Sequence, residues 1–282
     1  MKFLKFAFAF WAMTLILSCS DDDNQDNNLP QIDETADLIL TKTMANSDHT
    51  LAIFTKNGKF TEGYNQVFVQ VKDADNQYLS NVSLDWKPMM HMANMMHSGP
   101  HSGFSKVEGK QSLYEAYVVF QMAGNATEYW ELTFNYTING VPYEMVESID
   151  VQTSPKRRVA SFKGSDQQKY ILALIEPSAP KVAVNDMTVG VFAMESMANF
   201  PIVNQYKVKI DPRMPSMGNH GSPNNVDLMQ ISNGFYQGKL SLTMSGYWKI
   251  NLMLENENGE ILKGEPITES NESSSIYFEI EF

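Results

Sequence analysis

Cysteine is almost missing from this chain: Cys19 is the single one among 282 residues. No intramolecular disulfide can form, and no cysteine-built zinc or iron–sulfur site is possible. Catalytic signatures are missing as well. The sequence contains no Gly-x-Ser-x-Gly elbow, phosphate-binding loop, dinucleotide fingerprint or His-Glu-x-x-His, and no histidine stands in a context that marks it as a base. The acidic pair Glu255 and Glu257, among Asn256, Asn258 and Gly259, reads as a solvated hairpin turn. An enzyme is not expected. Basic residues are scarce, 21 against 33 acidic, for a net charge of −12. That balance disfavours nucleic acid, whose phosphates would be repelled. The almost unbroken apolar run Phe6 to Leu17 is too short to span a bilayer.

What that run does suit is export. Lys2 and Lys5 precede it, and Ile16-Leu17-Ser18-Cys19 closes it with a small residue before the cysteine. This resembles the lipobox of bacterial lipoprotein signals, which implies cleavage after residue 18 and acylation of Cys19. The mature chain would lose two lysines and no acid, leaving 19 basic and 33 acidic residues and a charge of −14. Ser20-Asp21-Asp22-Asp23 resembles a lipoprotein export signal that directs display on the outer face of an outer membrane. Residues 19–36 read as a lipidated, acidic, flexible tether. His49, just ahead of an apolar alternation, reads as an exposed turn residue.

Beyond the tether no long stretch carries apolar spacing of 3.6. Short alternating segments recur instead, broken by Gly, Asn, Asp and Pro: Tyr64 to Val71, Tyr114 to Phe120, Tyr129 to Phe134, Ser241 to Met244. Alternation of period two puts every second side chain on one face, so the pattern predicts an all-β chain of sandwich type. The segments also repeat in order. Thr50 to Phe54 matches Tyr170 to Leu174, Asn65 to Val71 matches Met187 to Ala193, and Val82 to Pro88 matches Gln205 to Pro212. Phe120 to Gly124 ahead of Trp130 matches Leu242 to Gly246 ahead of Trp248. Two tandem sandwiches are expected, at 37–153 and 159–282, joined by Ser154-Pro155-Lys156-Arg157-Arg158.

The chemistry is concentrated between Lys87 and Gly103. Five methionines (Met89, Met90, Met92, Met95, Met96) and three histidines (His91, His97, His101) fall in these seventeen positions, and the surrounding Pro, Gly, Ser and Asn predict a loop, not a strand. A reduced version, Met214-Pro215-Ser216-Met217-Gly218-Asn219-His220-Gly221, lies in the second half. Thioether sulfur is a soft, neutral ligand that selects Cu(I), and imidazole accepts either copper oxidation state. The spacing nominates Met92, Met95 and His97, with Met214, Met217 and His220, as copper ligands. Met89, Met90, His91, Met96 and His101 are possible additional ones. Met122, Met145, Met187, Met194, Met244 and Met253 read as core or strand residues. The competing expectation is a metal-free interaction module whose methionines offer adaptable apolar area to an envelope protein partner. A surface adhesin is a third, disfavoured by the few aromatic residues in the loops.

The Met-Pro-Ser-Met-Gly-Asn-His-Gly run, Phe235-Tyr236 and Met244-Ser245-Gly246-Tyr247-Trp248 resemble the YtkA-like or FixH-like domain. The likeness is clear over Met187 to Leu254 and looser over Lys87 to Leu132. It implies a small immunoglobulin-like β-sandwich in extracytoplasmic proteins, often associated with copper or cytochrome oxidase assembly.

Overall fold

A computed structural model describes residues 33–282. The signal segment, Cys19 and most of the expected tether lie outside the described residues. The first half runs β1 (Ile39–Ala45), β2 (His49–Thr55), β3 (Phe60–Thr61), β4 (Gly63–Asp73), β5 (Val82–His91), β6 (Met96–Ser98), β7 (Ser105–Lys106), β8 (Tyr114–Phe120), β9 (Tyr129–Ile138), β10 (Val141–Ile149) and β11 (Val151–Gln152). The second half runs β12 (Val159–Lys163), β13 (Lys169–Glu176), β14 (Ala183–Ala193), β15 (Lys207–Met214), β16 (His220–Gly221), β17 (Val226–Gln230), β18 (Tyr236–Leu242), β19 (Tyr247–Glu255), β20 (Ile261–Lys263) and β21 (Tyr277–Glu281). A 3-10 turn, Pro215–Met217, separates β15 from β16. The fold is all-β.

In the first half a sheet of order β1-β2-β4-β8-β7 faces a sheet of order β10-β9-β5-β6. Alternation drives the packing. In β5, Val82, Leu84, Trp86, Pro88 and Met90 point inward while Ser83, Asp85 and Lys87 point out. Inward residues of both sheets, including Leu51, Val69, Trp86, Val118, Trp130 and Phe134, form one core. The second half repeats the order as β12-β13-β14-β18-β17 and β21-β19-β15-β16, with β17 pairing both β18 and β15 so that a single sheet curls around a second core. Burying such side chains is the main stabilising term, roughly 1.5–3 kcal/mol for each large one.

Three residues differ from the sequence expectation. His49 is buried, opening β2 with its Nδ1 3.3 Å from the Tyr136 hydroxyl and its ring 4.6 Å from that of Tyr143. An aromatic pocket, invisible in the local sequence, overrode its turn-like neighbours. Glu255 is also buried, at the end of β19, where it pairs with Lys207 at 3.2 Å and Lys209 at 2.5 Å. The turn begins one residue later. Glu34, inside the expected tether, is tied to the first sandwich: its carboxylate accepts from the Gln111 and Ser112 N–H groups and the Ser112 hydroxyl. Burial alone would raise its pKa, but these donors outweigh it and lower the value.

The two sandwiches share an apolar seam. Val119 packs with Ile171, Ala173, Phe192 and Phe200, flanked by Tyr64, Tyr117 and Phe235. The Tyr64 and Tyr117 rings stack at 5.4 Å, and Phe235 meets Tyr117 at 5.4 Å. The link between them is pinned on both sides. Ser154 donates its N–H to Glu62, and Arg157 donates its N–H to the Glu279 carboxylate. Burial pushes the Tyr117 phenol up to about 12. An unfolded tyrosine ionises near 10, so the neutral form is favoured by folding and its contribution is full below pH 10. That contribution disappears as pH climbs from about 10 through about 12. Tyr117→Phe is therefore expected to make the alkaline fall of stability shallower in this window, measured by urea midpoints from pH 9 to 12; an unchanged profile contradicts the seam assignment.

Candidate functional site: a methionine and histidine hairpin

Met89 to Ser98, expected in a loop, form an antiparallel hairpin instead. Met89 pairs with Ser98, Met90 with His97 and His91 with Met96. The Met92 N–H donates to the Met95 carbonyl at 3.0 Å, so Ala93-Asn94 is a two-residue turn. The local sequence is poor in β-branched residues, but β5 is held along its length by β9, with Met89 opposite Glu131, Met90 opposite Trp130 and His91 opposite Tyr129. Tertiary pairing wins over propensity here.

Pairing decides which side chains share a face, because opposed residues in a ladder point the same way with Cβ atoms about 4.5–5.5 Å apart. One face carries Met90 and His97, then Met92 and Met95. The other carries Met89, His91 and Met96. The first face continues the sandwich core outward. Met90 is fully buried, Met92 is half-buried against the same core, His97 is half-buried and Met95 is 45% exposed. Two thioethers and one imidazole thus sit together at the tip with a third thioether behind them.

The imidazoles are oriented by main-chain carbonyls. Nδ1 of His97 lies 2.7 Å from its neighbour's carbonyl at Ser98, and Nδ1 of His101 lies 2.8 Å from the Gly99 carbonyl. A carbonyl only accepts, so in each neutral ring the proton is on Nδ1 and Nε2 carries the free lone pair. This is the arrangement that prepares an imidazole to ligate through Nε2. His97 is further fixed edge-on to Trp130, centroids 5.7 Å apart at 89°. The Trp130 indole N–H is itself held by the Met122 carbonyl at 2.9 Å. His91 is engaged differently: its Nε2 is 3.2 Å from Glu131 and its ring stacks on Tyr129 at 4.8 Å. Among the described residues no group of three or more His, Cys, Asp and Glu is placed to hold a metal.

In the second half Met214 pairs with His220 across β15 and β16. Met214 is buried in the second core, while Met217, on the 3-10 turn, is 57% exposed and His220 is exposed. The ladder sets Met214 and His220 on one face, as it does Met90 and His97, while Met217 stands on the turn outside the ladder. The matching residue of Met214 in the first half is Met90, not Met92. Pro88 and Pro212 occupy the same position of equivalent strands, and the tryptophan neighbouring each buried methionine, Trp130 and Trp248, caps a methionine carbonyl, of Met122 and Met244. Spacing of Met-x-x-Met had suggested a register two residues off. The aligned prolines already carried the correct one. Met244 is 37% exposed and off the end of β18, so it is neither core nor strand.

Residues 165–253 match the family model described as YtkA-like. That segment contains Met214, Met217 and His220; the Met89 to Ser98 hairpin lies outside it. A solved structure of a DUF4785 family protein from Legionella pneumophila is similar over 76% of this chain, with 10% identity and a TM-score of 0.25. The chain spans 55% of that protein's length. No curated protein matches the sequence.

The burial gradient along the hairpin has a stability consequence. Met90→Ala is expected to cost about 2–5 kcal/mol through lost burial and a cavity. Met95→Ala and Met217→Ala, on exposed side chains, are expected to stay within about 0.5 kcal/mol. Urea unfolding of the metal-free chain checks this; equal costs at Met90 and Met95 contradict the face assignment.

Proposed function

We propose that this protein is a lipid-anchored envelope protein that binds copper, as Cu(I), at the tip of the β5–β6 hairpin. Met92, Met95 and His97 are the ligands, with Met90 behind them and His101, Met89, His91 and Met96 as neighbouring donors. One observation carries the reading: Met92 and Met95 oppose each other on the face where His97 is held by its Nδ1 on the Ser98 carbonyl. Two neutral sulfurs and one imidazole suit a soft monovalent ion, and none of the three must lose a proton to bind it. The exposed tip favours capture and passing on over deep storage. In this reading the first sandwich is a diverged second copy of the YtkA-like domain and the pair is tandem. Met214, Met217 and His220 form at most a weak site, since Met214 is buried in the core and Met217 stands on the turn outside the ladder that pairs Met214 with His220. Cys19 is the lipid attachment point, and the chain is held at the outer membrane facing the cell exterior.

A partner-docking reading has one observation in its favour. Tyr129, Val146 and Met96 lie exposed on the outer face of the β10-β9-β5-β6 sheet, where an envelope protein could rest. Docking there leaves the hairpin's inner face free, so the two readings are separable. Metal-free docking through the same methionines predicts that leucine replacements preserve function.

Titration of the chain from Ser20 onward with Cu(I) against a competing chelator tests the proposal, since it removes Cys19, which would otherwise take the ion. One equivalent bound more tightly than micromolar is expected, weakened at least about tenfold by Met92→Leu with Met95→Leu. The pair Met214→Leu with Met217→Leu should leave it nearly unchanged. Affinity no better than micromolar, or indifference to the first pair, overturns the copper reading.

A further inference from the structure

The free edge of β6 is not bare. Met92 and Met95 form a hydrogen-bonded pair, so the ladder alternates and the Ser98 N–H points away from β5. It donates at 2.7 Å to the carbonyl of Met197, a residue of the second sandwich. Met197 lies on the loop after β14, where Met194 is packed into the seam between the sandwiches and the Asn199 and Glu195 main chains bond to each other. The loop is therefore held at both ends, with the Met197 carbonyl on the hairpin's edge and the Met197 side chain 42% exposed. Gly99 keeps the hairpin close to the seam: a Cβ there would come within 2.3 Å of the Val119 carbonyl, and the Val119 N–H bonds the Pro100 carbonyl.

Met194-Glu195-Ser196-Met197 is thus a further Met-x-x-Met run. Its first methionine is spent on packing, while its second is placed next to Ser98, the residue whose carbonyl orients His97. A methionine side chain turns about three bonds, so the Met197 thioether, whose backbone is bonded to the residue after His97, can take up different positions along the hairpin's edge without moving the main chain.

We propose that Met197 is a thioether ligand delivered by the second sandwich, closing the hairpin site across the domain seam when a soft ion binds. This rests on the hairpin reading above. It gives the second sandwich a part in the site that its own Met214, Met217 and His220 do not supply. It also makes ion binding stiffen the contact between sandwiches, because one ion then ties β6 to the loop after β14.

The probe is Ag(I), a redox-stable soft monovalent ion, added to the chain from Ser20 onward, which contains the whole compact unit Glu34–Phe282. Methionine methyl groups are labelled with carbon-13 and assigned by single Met→Leu variants. The expected result is that the Met92, Met95 and Met197 methyls shift together at one equivalent. Met197→Leu, a mild change at an exposed side chain, should weaken binding on the order of tenfold without altering the urea midpoint of the metal-free chain. If the Met92 and Met95 methyls move while Met197 stays still, and Met197→Leu binds like the parent, the inference is wrong and the hairpin site stands. If no hairpin methyl moves, the hairpin site falls and the inference with it.

Discussion

The burial of Met90 between two ring-bearing neighbours, Trp130 on β9 and His97 on β6, is the constraint on which the hairpin depends. Trp130 cannot shift without losing the bond from its indole N–H to Met122, and Met90 is fully enclosed. Once this rung is fixed, the two-residue periodicity of a ladder determines everything beyond it. His97 must face the core side, Met92 and Met95 must follow it on that face, and His91 with Met96 must turn away. A slip of one residue would exchange the faces, placing His91 and Met96 in the core and Met90 in solvent. The cost of exposing Met90 and burying an imidazole already paired with Glu131 stands against that slip.

The same rung exists in the second half with a different result. Met214, His220 and Trp248 are arranged as Met90, His97 and Trp130 are, but the connection is the 3-10 turn ending in Gly218 and Asn219, both at positive φ. That tight reversal throws Met217 outward. The first half reverses over Ala93-Asn94, where the Met92 N–H bonds the Met95 carbonyl and keeps its outermost methionines opposed. One topology, repeated, therefore yields a convergent tip in one copy and a dispersed one in the other.

Much of the fold was legible because alternation is a direct physical signature: inward positions of β2, β4, β5, β8 and β9 all read as every second apolar residue. The repeat was legible for the same reason, down to the paired prolines Pro88 and Pro212. The hairpin was not. Its residues have weak strand preference, and what makes them a strand is the run of ten consecutive partners that β5 finds on β9, a long-range fact absent from any local window. The burial of His49 and Glu255 is illegible for the same reason, since the tyrosines and lysines around them come from distant strands. Met92, Met95 and His97 were nominated by spacing alone, and the ladder supplies a separate reason for grouping them. Met197 has only its Met-x-x-Met spacing with Met194 as a signal, and only the packing of two sandwiches brings it beside Ser98.

The central claim is that thioether sulfur and imidazole nitrogen from this hairpin hold one soft ion. X-ray absorption at the copper edge, on the Cu(I)-loaded chain from Ser20 onward, addresses it directly. A low-coordinate Cu(I) centre with mixed ligation is expected, with sulfur scatterers outnumbering a single imidazole and the sulfur shell lost in Met92→Leu with Met95→Leu. A centre bound only by nitrogen and oxygen, or copper that leaves during desalting, would contradict it.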